Sequence, residues 1–354
     1  MDLTSQNSTL LEALEWLTPL QHSPSPRASL SAEAREFLAR AFPENTRLTY
    51  RRVVLDFRDW SGLAQPFPTS ASVVADYLSH RAKADGLAPS TLTTYASALR
   101  FAHLLLGYPD PTKNMVVMGI LRGIRRTAQE DRDWAPNRAP AMTLEDLCAM
   151  VEVGLDEMTL RDARDRAFLL VGFFGAFRQS ELSAIRLERL RETPEGLLIR
   201  MGRTKTDQLD SRGHHKALLP GPPGLCPLAA VREWLTVSEI TEGWLFRGVT
   251  KGGKLAAPPK NARYPGRLSH PTANRILTHR ARLAGLDNRR YSVHSLRAGF
   301  ITLSRQLGAH DWQIQRQSGH QDVRTLGIYD RPESAFEGNA IRLLMEALLD
   351  RSSD

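Results

Sequence analysis

Two cysteines, Cys148 and Cys226, are all that this chain of 354 residues contains. They cannot form a secreted disulfide framework and lack the paired spacing of a zinc site, so the expected setting is a reducing, intracellular one. Long apolar runs are missing as well: no stretch approaches the roughly 20 apolar residues of a membrane span. The start, MDLTSQNSTLLEALEWL, carries acids and has no basic lead into an apolar run, which reads as a soluble, unprocessed, cytoplasmic chain. There is no H-E-x-x-H run and no clear carboxylate cluster to hold paired ions. The adjacent His214 and His215 would point to opposite faces of a strand and read as surface residues. The expectation is a protein with no metal and no cofactor. No internal repeat is visible.

What is present is length and positive charge. The chain is too long for one ordinary domain, which favours two. Lys and Arg number 47 against 39 Asp and Glu, a formal net charge of +8, which favours a polyanionic partner such as nucleic acid. Residues 1–30 include the Ser- and Pro-rich HSPSPRAS and read as a flexible tail. Residues 31–126 carry apolar side chains at helical spacing, with Tyr50, Val53, Val54 and Phe57 in one segment and Leu92, Tyr95, Leu99, Ala102 and Leu106 in another. A small helical bundle is predicted there, with Ser90 as an N-cap and Gly107 as a stop. Arg122, Arg125 and Arg126, on the helix after Pro111, would either contact phosphates or form a solvated face.

Residues 127–141 are polar, Pro-bearing and without period, the character of an interdomain linker. A second domain, 142–354, opens on a Thr143 to Asp146 cap. A long apolar helix is predicted over about 161–177. The runs GLLIRMGRT and HHKALLP then read as a β-hairpin joined by a polar loop. Helices follow near 228–235, 272–283, 296–307, 312–318 and 335–349. The fold class is mainly α: a helical bundle, then a mixed but mostly helical domain with a small antiparallel sheet.

Four patterns in the second domain carry chemistry: GAFRQSEL with Arg178 and Glu181, GRTKTDQ with Lys205, VHSLRAGF with His294 and Arg297, and SGHQDVRTLGIYDR with His320 and Tyr329. Singly each has a structural reading. Glu181 is three positions past Arg178 and can simply pair with it; His294 can be a satisfied buried histidine. Their order is more specific. Arg, Lys, His-x-x-Arg, Gly-His and a Tyr nine residues later resembles the ordered active-site signature of the tyrosine recombinase (phage integrase) family, over about residues 31–350. GRTKT followed by KAL resembles the Cre-type branch in particular, although His320 stands where that branch can carry Trp.

The resemblance implies a SAM-like core-binding domain followed by a catalytic domain. It also implies cleavage and rejoining of DNA through a 3′-phosphotyrosyl bond at Tyr329, with strands exchanged pairwise through a Holliday junction and no need for metal or ATP. Phosphoryl transfer builds negative charge that needs fixed cations, and two arginine forks, Arg178 and Arg297, suit it. His294 is the candidate base, Lys205 the acid for the leaving 5′-hydroxyl and His320 a donor to phosphate. Glu181 would orient Arg178 or His294. The implied partners are double-stranded DNA with an inverted-repeat site and other copies of the chain, a tetramer closed by exchange of the 335–349 helix. A nucleoid-associated protein of a bacterium, phage or plasmid follows. Asn274, Arg275, His279 and Arg280 on the 272–283 helix are candidates for reading the groove, or a basic surface helix. Two other functions stay open: a type IB topoisomerase or telomere resolvase-like strand transferase, and a catalytically silent DNA-binding protein.

Overall fold

The computed structural model describes residues 37, 41–130, 139–154, 157–202, 214–258, 264–287 and 291–320. The chain divides into two compact units, residues 1–136 and 137–354. Among the described residues no helix is long and apolar enough to cross a membrane.

The first unit is helical. Helices α1 (Glu44–Ser61), α2 (Ala71–Lys83), α3 (Pro89–Leu105) and α4 (Met115–Glu130) follow one another, with a short 3-10 turn at Pro111–Lys113. Their one-sided apolar stripes meet in a core of Val53, Val54, Phe57, Val74, Tyr77, Leu78, Leu92 and Leu99. The spacing that predicted this bundle is the spacing that buries it. Two boundaries differ from expectation. Pro89 is already the first residue of α3 and Ala88 its cap, because proline needs no partner for an N–H at that position, so Ser90 lies inside the helix. Helix α4 runs on to Glu130 past the expected linker start at Thr127, extended by an Arg126–Glu130 pair one turn apart. Arg122, Arg125 and Arg126 are exposed on α4, while Ile120, Leu121 and Ile124 pack against the core.

His103 is buried in this unit. Its Nε2 accepts the backbone N–H of Thr69 at 3.2 Å, which leaves Nδ1 to donate to the Leu99 carbonyl at 2.7 Å. That pairing needs the neutral ring, and burial holds its pKa below the ordinary histidine value. The stability this contributes is present above pH about 6.5 and is lost as pH falls, because the unfolded histidine then gains a proton that the folded one resists. Urea titrations of the whole chain should show the transition of this unit weakening by up to about 1.4 kcal/mol per pH unit below pH 6.5. His103→Gln should flatten that slope, and an unchanged slope in the variant would refute the assignment.

The second unit packs α5 (Leu144–Glu152), α6 (Leu160–Phe174), the single turn α7 (Gln179–Leu182), α8 (Pro227–Ser238), α9 (His270–Leu283), α10 (Val293–Gln306) and α11 (Asp311–Ser318). They surround a three-stranded antiparallel sheet in the order β1 (Leu190–Thr193), β2 (Gly196–Arg200) and β3 (His215–Leu218). The hairpin read from the sequence is β2–β3; β1, too short and polar to stand out, is added by its pairing with β2. Thr143 accepts from the Asp146 N–H as the cap of α5. The core is built on α6, with Phe168, Leu169 and Phe173 buried against Trp234 of α8 and Leu296 of α10. Trp234 is fully buried and satisfies its one donor on the Leu245 carbonyl at 2.7 Å.

Two glycines set how closely α10 lies on α6 and the start of the unit. A Cβ on Gly172 would meet Leu296 at 2.7 Å, and one on Gly299 would meet the Met142 carbonyl at 2.3 Å. Only glycine permits that approach. The helix predicted to reach residue 177 ends instead at Phe174, because Ala176 turns into the left-handed region, φ 47°. That turn leaves the carbonyls of Phe174, Gly175 and Ala176 without helical partners.

Candidate active site

Those three carbonyls organise the centre of the second unit. Gln317 of α11 donates to Phe174 O at 2.8 Å. Lys216 of β3 donates to Gly175 O at 2.7 Å and to Ala176 O at 3.0 Å. Arg297 of α10 donates to Ala176 O at 2.7 Å and to Ser318 O at 2.6 Å. Cations and donors thus converge on the negative end of α6, as its dipole favours.

Arg178, immediately past the turn, opens α7. Its backbone N–H donates to Glu181 Oε2 at 2.9 Å and its guanidinium to Oε1 at 2.7 Å. Glu181 is buried, which opposes its charge, but the charges of Lys216 and Arg178 and the bonds from Arg178 outweigh burial and hold its carboxyl below the usual range. The remaining donors of Arg178, a half-buried side chain, can serve a bound anion.

Arg297 is almost wholly buried, 1% exposed. Its Nη2 donates to His320 Nε2 at 2.9 Å, and Nδ1 of that ring bonds Ser318 Oγ at 2.8 Å. The same Nη2 also lies 3.2 Å from Nδ1; an arginine can only donate, so one ring nitrogen is bare and either tautomer fits. Burial first, then the charges of Arg297, Arg178 and Lys216, push His320 down to about 3, a neutral ring at any working pH. In this state it accepts from Arg297. Where Nδ1 accepts from the Ser318 hydroxyl, Nε2 carries the proton and becomes a donor once an anion draws Arg297 away.

His294 is solvent-accessible on the first turn of α10. Loss of water around it, then the charges of Arg297 and Arg178, hold its pKa below the ordinary value, as a neutral base requires. The first turn of α10 is itself fixed by Asn274, whose Oδ1 accepts the Val293 N–H at 3.0 Å. Gln179 donates to the His270 carbonyl at 2.8 Å and ties α7 to the start of α9.

Of the residues expected from the sequence, Arg178, Glu181, Arg297 and His320 are joined by direct bonds or through the Ala176 carbonyl and Lys216, and His294 feels the field of both arginines. Lys205 and Tyr329 lie outside the described residues, as does the 335–349 segment. Gly202, which opens GRTKT, packs where a Cβ would lie 1.9 Å from Arg189.

Residues 142–335, a little over half of the chain, match the sequence profile of the phage integrase family. This chain is a member of the phage integrase family. An integrase/recombinase XerD homolog of Selenomonas ruminantium is 30% identical over 318 residues, covering 88% of this chain and 89% of that protein. The recombinase Cre of Escherichia phage P1 is 28% identical over 348 residues, covering 93% and 98%. Among solved structures, XerH site-specific recombinase bound to palindromic difH substrate, a post-cleavage complex, matches with a TM-score of 0.59 at 16% identity, covering 96% of each chain. A lambda integrase dimer bound to a COC′ core site matches with a TM-score of 0.53 at 14% identity, covering 87% of this chain and 94% of that one. At those identities the likeness is one of fold, and the mainly helical architecture with its small sheet is the family's.

Within that phage integrase fold, the expectation for Arg280 needs correcting. Arg280 is wholly buried. It donates to the carbonyls of Met150 and Val153 at the end of α5, at 2.8 and 2.6 Å, and to Asp162 in the first turn of α6 at 2.8 Å. It caps one helix and pairs with the next, and none of its surface is exposed. Asn274 spends its carbonyl on α10, whereas Arg275 stays exposed and His279 half-buried on α9. The residue that sequence reading missed is Lys216. Its signal was the alternation of HKAL, in which Lys216 shares the inward face with Leu218.

Proposed function

We propose that this protein is a site-specific DNA recombinase that cleaves and rejoins DNA through Tyr329. The observation that carries the reading is the pair of guanidinium groups, Arg178 and Arg297, held at one helix terminus by Glu181, Lys216 and Ala176 O. Such a pair suits the three-oxygen charge of a phosphoryl group in transfer. The Tyr329 hydroxyl attacks the phosphorus, His294 accepts its proton, and the bond to the 5′-oxygen breaks as Lys205 protonates that oxygen. The product is a 3′-phosphotyrosyl ester that keeps the energy of the broken bond, so a 5′-hydroxyl from another strand can reverse the step without ATP. His320, in the tautomer protonated at Nε2, donates to a non-bridging oxygen.

Residues 31–126 serve as the core-binding domain, with Arg122, Arg125 and Arg126 on phosphates, and 142–354 as the catalytic domain. Arg275 and His279 remain the candidates for base contacts on α9. Two copies occupy an inverted repeat and two such sites make a tetramer, closed by exchange of the 335–349 segment, in which strands pass one pair at a time through a Holliday junction. The membership of the family and the likeness to DNA-bound recombinases support DNA as the substrate.

The test is to incubate wild type and Tyr329→Phe with nicked suicide duplexes carrying the native flanking repeats and resolve the products on denaturing gels. A covalent protein–DNA band with wild type, absent from the variant, is expected. Tight site binding with no band would favour the silent DNA-binding alternative, and resealed strands without exchanged products would favour a topoisomerase.

A further inference from the structure

Lysine is among the residues least often buried, yet Lys216 is 1% exposed on an inward-facing position of β3. Leucine there would complete the core and leave the Gly175 carbonyl without its donor. The ammonium group instead donates to both, lies 3.7 Å from Glu181 Oε2 and sits 4.4 Å above the Phe177 ring. Glu181 in turn holds Arg178, and Ala176 O also receives Arg297. Lys216 therefore stands in the middle of a continuous run from one guanidinium to the other. Ala176 occupies the left-handed region at φ 47° without being glycine, a strained conformation that persists only when its surroundings hold it. The bonds from Lys216 and Arg297 to its carbonyl are that hold.

We propose that Lys216 is a positioning residue for strand cleavage: sealed behind the site, it fixes the Ala176 turn and Glu181 so that Arg178 and Arg297 meet one phosphate together. It is not a proton donor to the leaving oxygen, because its Nζ is buried and aimed at two carbonyls; that role stays with Lys205. The inference rests on the reading of this centre as a DNA-cleaving one.

The experiment compares full-length wild type with Lys216→Gln, whose amide can still donate to the two carbonyls without the charge, and Lys216→Met, which removes both. Single-turnover cleavage of the suicide duplex at saturating protein, affinity for the same site and thermal melting are measured on each. Expected is a cleavage rate down on the order of 30-fold for the Gln variant and more for the Met variant, with site affinity within about threefold of wild type. A folded variant that cleaves within about twofold of wild type overturns the proposal. So does a loss of cleavage that only follows loss of melting stability and site affinity, or the failure of both variants to melt cooperatively, since Lys216 is then a folding residue. Absence of a covalent band with wild type itself identifies failure of the strand-cleavage reading, and this inference falls with it.

Discussion

Arg297→Ala should abolish DNA cleavage, with a loss of roughly a thousandfold or more, and Arg297→Lys should recover almost none of it. Arg297 spends one arm of its fork on the carbonyls of Ala176 and Ser318 and the other on His320. An ammonium has three donors, so two carbonyls leave it at most one for a phosphate, and it lacks the planar geometry that engages two oxygens of one anion. The alanine variant also takes its donor from the buried Ser318 carbonyl, a cost of about 1–3 kcal/mol, while Ala176 O keeps Lys216, so its melting temperature should drop as well. The lysine variant separates the effects: stability returns in part while cleavage does not. Single-turnover cleavage at saturating protein, read with a melting curve on each variant, checks this. A lysine variant that cleaves within tenfold of wild type would show that the fork is not what the reaction needs.

The second large effect is on stability alone. Arg280→Ala is expected to destabilise the second unit by about 3–5 kcal/mol, the usual consequence of removing one partner from a buried, hydrogen-bonded charge pair. It strips donors from the Met150 and Val153 carbonyls and leaves Asp162 without its cation at the start of α6. The same variant, assayed well below its transition, should bind the target duplex with unchanged affinity and an unchanged salt dependence, since the side chain is wholly buried. Denaturant titration and a binding isotherm decide the matter. A small change in stability together with weaker, less salt-dependent binding would restore the groove-reading role expected from sequence.

The contrast between Arg280 and Arg297 shows where sequence reading works and where it stops. Both are arginines on the buried side of an amphipathic helix. Arg297 was found because His-x-x-Arg recurs in a fixed order with four other motifs, so its assignment never depended on knowing its surroundings. Arg280 was read as a surface residue because it lies among Arg275, His279 and Arg282. Its spacing from Ala273, Ile276 and Leu277 nevertheless places it on the same stripe as the buried side of α9. Weighing periodicity above local charge would have placed it inside. Lys216 is absent from the expected site residues, although the alternation of β3 points it inward.

The sequence by itself determined the two-part, mainly helical organisation and the β2–β3 hairpin, because apolar periodicity is a local property of the chain, and through motif order it offered Arg178, Glu181, His294, Arg297 and His320 as candidates for the site. Only the tertiary structure decided that α6 stops at Phe174, that Ala176 turns the chain left-handed, and that Lys216 and Arg297 meet on one carbonyl. Those facts depend on which unpaired backbone groups are brought beside which donors by packing across Gly172 and Gly299, and no interval along the sequence encodes that meeting.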